Sequence, residues 1–383
     1  MIESMRIGVA GAGLLGRLLA WQLARAGHQV SVFDTAASPA PVPRSQAPDP
    51  YVPTAAGFTA AGMLSPLAEL DNAEPAVAAL GWRSLALWRD IAAALPAQPA
   101  FADRGSLLVA HRNDLGSARR MLDRLATATA TTAWRDASPP EGAQALDLAA
   151  LRALEPSIQG PAHAWLLPGE GQIDTVATLM ALHGDAAGVD WHWGQRVIAV
   201  EAGEGGGTLR LADGRMLAFD VVIDVRGVGA RPDVPVRGVR GEVVWLQAPG
   251  HGLTRPVRLL HPRHRVYVVP RSPQDVLVGA SEVESEDRSP VSLRSATELM
   301  AAAHSVVPAL AEARILKLDV NLRPASPDNN PRVEWTGRRL VINGLFRHGW
   351  LLAPALVEQA LAAPAAHALG LPSLAGGITE AAH

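Results

Sequence analysis

The most constraining part of the sequence is its start. Met5-Arg6-Ile7-Gly8-Val9-Ala10 has the texture of a short buried strand and runs directly into Gly11-Ala12-Gly13-Leu14-Leu15-Gly16. Leu15, Leu18, Leu19 and Leu23 then recur at helical spacing, and Gly27 closes the helix as residues that tolerate a left-handed conformation do. Gln29-Val30-Ser31-Val32-Phe33-Asp34 is a second strand with an acid at its carboxyl end. In such a βαβ unit the first glycine permits the tight turn, the second lets a pyrophosphate approach the backbone, and the third lets helix and sheet pack closely. The helix N-terminus then faces the diphosphate, and Asp34 stands about where an acid must stand to accept hydrogen bonds from a ribose. The pattern predicts a dinucleotide-binding α/β unit and does not choose between FAD and NAD.

Composition narrows the chemistry. There is no cysteine, so disulfides, thiolate metal sites, iron–sulfur ligation, a catalytic thiol and cysteinyl attachment of a cofactor are excluded. Lys317 is the only lysine, which removes a P-loop and confines Schiff-base chemistry to one position. A net charge of −3 gives no basic footprint for nucleic acid. No apolar run is long enough to span a membrane, so the expectation is a cytoplasmic enzyme acting on a small molecule. His251, His261 and His264 follow no metal-binding pattern, no G-x-S-x-G elbow exists, and no metal is expected.

Farther along, a proline-dense stretch from Pro39 to Pro53 reads as an exposed excursion, followed by the small-residue turn Thr59-Ala60-Ala61-Gly62-Met63-Leu64. Helical patterning covers Ala76 to Leu95, Asp114 to Ala126 and Leu146 to Leu154. Strand patterns follow at Trp191 to Val200, Thr208 to Leu211, Met216 to Ile223, Gly241 to Gln247, Arg265 to Pro270 and Asp275 to Gly279. Ser295 to Ala303 returns to helix, and Arg339 to Asn343 is a strand leading to a closing helix from Leu352 to Leu361.

Five blocks occur in order after the glycine-rich start: Ala60-Ala61-Gly62-Met63-Leu64, Tyr267-Val268-Val269-Pro270-Arg271, Val278-Gly279-Ala280-Ser281, Asn321 to Asp328, and Gly344 to Pro354. Together they resemble the D-amino-acid-oxidase superfamily of flavoproteins, and most closely the glycine oxidases of thiamine biosynthesis. The resemblance implies an α/β protein, α+β overall, in which a Rossmann-like FAD-binding domain is joined to an antiparallel-sheet substrate domain. The implied division is discontinuous: 1–85, 150–235 and 320–365 for FAD, 86–149 and 236–319 for the substrate, and 366–383 as a tail.

The implied cofactor contacts are Gly11, Gly13, Leu14, Leu15, Gly16, Asp34 and Thr35 at the nucleotide end. At the flavin end they are Ala61, Gly62, Met63, Phe346, Arg347, His348, Gly349, Trp350 and Leu351. Val197 matches the family position that pairs with adenine, or is an ordinary core valine. Arg226 either contacts a cofactor phosphate or is exposed. With no cysteine, FAD is expected to be non-covalent, and Lys317 is the only lysine available for activating dioxygen.

For the substrate, the resemblance implies that Arg323 grips a carboxylate, with Tyr267 assisting. A planar guanidinium suits that task. Arg347 would border the pocket chiefly through its backbone, or be a surface ion-pair residue. Glu282 departs from the relatives in placing an acid at a strand end facing the flavin; it either handles the substrate amine or belongs to the solvated acidic run Glu282-Glu284-Glu286-Asp287. The implied activity is FAD-dependent oxidation of a small amino acid or amine, with hydride transfer to the flavin, dioxygen as oxidant and hydrogen peroxide as product. A dehydrogenase using another acceptor and a non-catalytic flavin-binding protein are the alternatives, and a homo-oligomer is left open.

Overall fold

A computed structural model describes residues 4–41, 54–71, 73–131, 141–261 and 265–371. The later part of the proline-rich stretch, His264 and the end of the tail lie outside the described residues. Two large sheets organise the chain. The first has six strands in the order Arg332–Thr336, Arg339–Asn343, Val221–Asp224, Arg6–Ala10, Gln29–Asp34 and Asp190–Trp193, all parallel except the first. Parallel strands buried on both faces read as continuous apolar runs, which is why Ile7 to Ala10 and Val221 to Ile223 are so uniformly hydrophobic. Helix Leu14–Arg25 packs Leu18, Leu19 and Leu23 fully out of water, each contributing about 1.5–3 kcal/mol.

The second sheet has eight strands in the order Arg314–Ala325, Arg237–Gln247, Asp275–Gly279, Arg265–Pro270, Val257–Leu260, Ser106–Ala110, His163–Leu167 and Gln144–Leu146. Its pairs are antiparallel except Val257–Leu260 beside Ser106–Ala110. A small sheet of Met63–Leu64, Gly171–Ile173 and Phe101–Ala102 lies between the two.

Two expected strands are each split. Trp191 to Val200 breaks at Gly194, which has φ +70°, into Asp190–Trp193 of the six-stranded sheet and Val197–Ala202 of a separate three-stranded one. Met216 to Ile223 likewise breaks at Asp220, whose side chain accepts from the Arg6 backbone N–H. Hydrophobic patterning cannot distinguish one long strand from two that diverge at a single residue. Strand His163–Leu167, inside the segment expected for the FAD half, pairs in the eight-stranded sheet, and Arg314–Ala325 crosses the expected boundary at 319/320. Among the described residues no helix is long and apolar enough to cross a membrane.

Candidate active site

A cavity of about 1770 Å³ runs from the glycine-rich turn to one face of the eight-stranded sheet. At its nucleotide end it is lined by Gly11, Gly13, Leu14, Leu15, Asp34 and Thr35. Gly11 has φ +106°, and a Cβ there would press on the Val225 carbonyl. Gly16 lies behind the cavity wall, where a Cβ would collide with the Gly11 carbonyl oxygen, so its task is close helix packing. Asp34 accepts from the Ala12 N–H at 2.6 Å and the Ala36 N–H at 2.8 Å. The helix beginning at Leu14 has no side-chain cap and no acid in its first turn, leaving its N–H groups available to an anion.

Two residues at this end carry alternative expectations. Val197 does not line the cavity: it packs with Ala10, Phe33 and Phe219, and its carbonyl accepts from Arg226 Nη1 at 3.1 Å. Its neighbour Arg196 does line it. Arg226 lines the cavity and is not exposed, pairing with Asp224 at 2.7 Å and Asp233 at 2.8 Å. Asp224 stands two residues before Arg226, and Asp233 follows it across the turn Gly227–Ala230.

At the other end Ala61, Gly62 and Met63 line the cavity as a turn, with Gly62 at φ +71°. Arg271 pins it from outside, donating to the Ala61 carbonyl at 2.7 Å and the Ile173 carbonyl at 3.0 Å. Phe346, Arg347, His348, Gly349, Trp350 and Leu351 lie across the cavity. Phe346 holds φ +51°, a conformation costly for an aromatic residue and concentrated at functional sites. The helix Gly349–Leu361 begins here, again without a side-chain cap or an acid in its first turn.

The residues expected to bind substrate lie on one face of the eight-stranded sheet, across the cavity from the turn. Tyr267 pairs directly with Gly279, Gly279 with Val243, and Arg323 lies diagonally from Gly241. Side chains directly opposite or two residues apart share a face. Both glycines make room: a Cβ on Gly241 would meet Arg323 Cζ at 2.5 Å, and one on Gly279 would meet Tyr267 Oη at 2.7 Å. Arg323 donates to the Arg240 carbonyl at 3.3 Å and the Ser281 carbonyl at 3.0 Å, and among the described residues it forms no ion pair within 4 Å. Burial lowers its pKa from the usual arginine value and raises that of the Tyr267 phenol. Val243, Val269 and Leu277 pack with Ala61 and Met63 to form the dry side of this space.

Arg347 contributes through its side chain as well as its backbone. It binds Glu69 at 2.8 Å and Glu282 at 3.3 Å. Glu69, which sequence reading missed, also binds Arg258 at 3.1 Å and lies 3.4 Å from His348 Nδ1. Burial alone would raise the Glu69 carboxyl, but Arg347 and Arg258 outweigh it and hold it well below the usual carboxylate range. His348 is pulled down by burial and stays neutral near pH 7. Glu282 lies at the cavity wall, half-exposed. Lys317 sits apart, paired with Asp319 at 3.4 Å and over the Trp245 ring, and does not line the cavity. His251 is a structural loop histidine, its Nε2 2.8 Å from the Ser272 carbonyl, and among the described residues no group of side chains could hold a metal.

Two uncapped helix N-termini at one cavity, with the acid Asp34 at one end and the Ala61-Gly62-Met63 turn at the other, suit a flavin dinucleotide. The family model of FAD dependent oxidoreductases, DAO, matches residues 6–360. The chain belongs to this family. It is 38% identical to a protein named as thiamine biosynthesis oxidoreductase ThiO from Rhizobium etli, over 93% of this chain and 95% of that one. It is 26% identical to a glycine oxidase from Geobacillus kaustophilus over 92% and 91% of the two chains. Its fold matches the crystal structure of glycine oxidase from that organism with TM-score 0.75 at 24% identity, covering 92% and 93% of the chains. It also matches iminodiacetate oxidase from Chelativorans sp. BNC1 with TM-score 0.77 at 21% identity, covering 96% of each. This chain is therefore an FAD-dependent oxidoreductase, similar to ThiO and glycine oxidase and sharing the mixed α/β fold of the latter.

Proposed function

We propose that this oxidoreductase catalyses oxidative deamination of a small amino acid, glycine foremost, with dioxygen as oxidant. The observation that carries the reading is Arg323: a half-buried guanidinium with no carboxylate within 4 Å among the described residues, lying in the same cavity as the Ala61-Gly62-Met63 turn. A guanidinium has five N–H donors and the two carbonyl bonds use only part of them, so a substrate carboxylate can be held in bidentate fashion. Tyr267, kept protonated by burial, donates to the same carboxylate. Glu282, on the cavity side of Arg347, faces the amine and orients it. Val243, Val269 and Leu277 exclude water on the face that meets the turn.

Gly11, Gly13, Leu14, Leu15, Asp34 and Thr35 hold the nucleotide end of FAD, while Ala61 to Met63 and Phe346 to Leu351 hold the ring end. The amides opening the helix at Gly349 place the positive end of its dipole toward the ring. FAD, when bound, would supply two-electron acceptor chemistry for the substrate Cα–H, with dioxygen as the final oxidant and hydrogen peroxide as its product. The imine product hydrolyses to an oxo acid and ammonia. In this reading the six-stranded sheet carries the cofactor and the eight-stranded sheet the substrate.

Anaerobic mixing with glycine, sarcosine, D-alanine and D-proline tests it: at least one must bleach the flavin. One peroxide per substrate in air supports dioxygen as oxidant. Bleaching without peroxide would favour a dehydrogenase, and no bleaching by any of them would refute the proposal.

A further inference from the structure

Around Tyr267 three guanidiniums, Arg323, Arg347 and Arg258, face two carboxylates, Glu69 and Glu282. With Tyr267 and His348 neutral, these five groups carry one surplus positive charge; Arg323 forms no ion pair within 4 Å among the described residues, and the Glu282 carboxylate acts on it from beyond that distance. The carboxylates differ in kind. Glu69 is buried between two arginines and fixed by both. Glu282 is 45% exposed on its side chain, touches Arg347 through one oxygen at 3.3 Å, and has no other ion-pair partner among the described residues. Glu69 therefore belongs to the framework, whereas Glu282 occupies a face of Arg347 that opens to the same cavity as Arg323.

Resting on the amino-acid reading above, we propose that Glu282 is a specificity residue that restricts the site to substrates with a single carboxylate, by occupying the cavity side of Arg347. A substrate with one carboxylate neutralises Arg323 and leaves the cluster balanced. A second carboxylate on the same small molecule would have to displace Glu282 from Arg347 or lie beside it as a like charge. Removing the charge of Glu282 leaves Arg347 with surplus positive charge and creates a second carboxylate site next to the first. Iminodiacetate, which is glycine carrying a further carboxymethyl group on nitrogen, is the simplest molecule to use both.

The test compares holoenzyme with Glu282→Gln, and with Glu284→Gln as a control, since Glu284 pairs with Arg237 outside the cavity. The ratio of kcat/KM for iminodiacetate over glycine should rise at least about tenfold in Glu282→Gln, the order expected of one charge-assisted hydrogen bond, and stay unchanged in the control. A second readout needs no turnover: diglycolate and methoxyacetate, diacid and monoacid on the same ether skeleton, are titrated against the visible absorption of the bound flavin. Diglycolate should gain affinity relative to methoxyacetate in Glu282→Gln by a similar factor. An unchanged ratio in both measurements overturns the specificity role while leaving the amino-acid reading intact. Failure of glycine to reduce and of methoxyacetate to perturb the wild-type flavin overturns both.

Discussion

The Arg323 guanidinium lies across Gly241, occupying the space that a side chain at position 241 would fill, with a Cβ there only 2.5 Å from Arg323 Cζ. The glycine is thus part of the substrate site although it offers no functional group. Gly241→Ala should fold, because the obstructing atoms are the far end of a flexible side chain. The displaced guanidinium should raise KM for the amino acid by about tenfold or more, the cost of weakening a charged hydrogen bond. Steady-state kinetics beside a urea unfolding curve separate the two effects; an unchanged KM would mean that Arg323 does not hold the substrate.

Glu69 supports the site from beneath. Removing one partner of a buried ion network leaves uncompensated charge, at a cost of about 3–5 kcal/mol. Glu69→Ala should lower stability by that order in urea unfolding. The Glu69 carboxyl is depressed in the folded state, so its contribution is complete above the unfolded value near 4.5 and is lost as pH falls below it. The wild type should therefore lose stability on acidification below about pH 4.5, and Glu69→Ala should show a smaller loss over that range.

Glu170 has the opposite sign. It is fully buried, accepts from the Ala68 N–H at 3.0 Å and from Ser106 Oγ, and burial pushes its carboxyl up to about 7. A raised acid binds a proton more readily in the folded than in the unfolded state, so stability falls as pH rises from 4.5 to about 7. Glu170→Gln mimics the protonated form. Its advantage over the wild type should grow between pH 5 and pH 8, by up to roughly 3 kcal/mol. A difference independent of pH would show that Glu170 does not titrate in this way.

Asp34 connects the glycine turn to the nucleotide. Both its oxygens already organise backbone N–H groups, at Ala12 and Ala36, so Asp34→Ala should loosen the turn and remove the ribose acceptor together. FAD retention on gel filtration should fall markedly, with affinity weakened about tenfold or more. Full retention would contradict the nucleotide assignment.

The sequence made the βαβ start, the strand Arg339–Asn343 and the small-residue turn legible because each is specified by neighbours a few residues apart. The site residues with side chains on one sheet face were legible as motifs, but not their relation to Gly241 and Gly279, which depends on strand register. Glu69 was illegible: its partners Arg258 and Arg347 lie far along the chain, and only the packing of helix Pro66–Glu69 against the cavity brings them together. Arg226 differs, since its partners Asp224 and Asp233 are near in sequence and are brought onto it by the turn Gly227–Ala230. Arg271 was quoted in a motif yet assigned no task; its role appears only when the Ala61 and Ile173 carbonyls are seen to converge on it.

The central claim is that Arg323 binds the substrate carboxylate against the flavin, and anaerobic stopped-flow reduction of wild type and Arg323→Met by glycine tests it most directly. The account predicts saturable flavin bleaching in the wild type and, in the variant, a glycine concentration for half-saturation raised by about a hundredfold, as expected for losing a bidentate charged contact. Bleaching that saturates at the same glycine concentration in both proteins would contradict it.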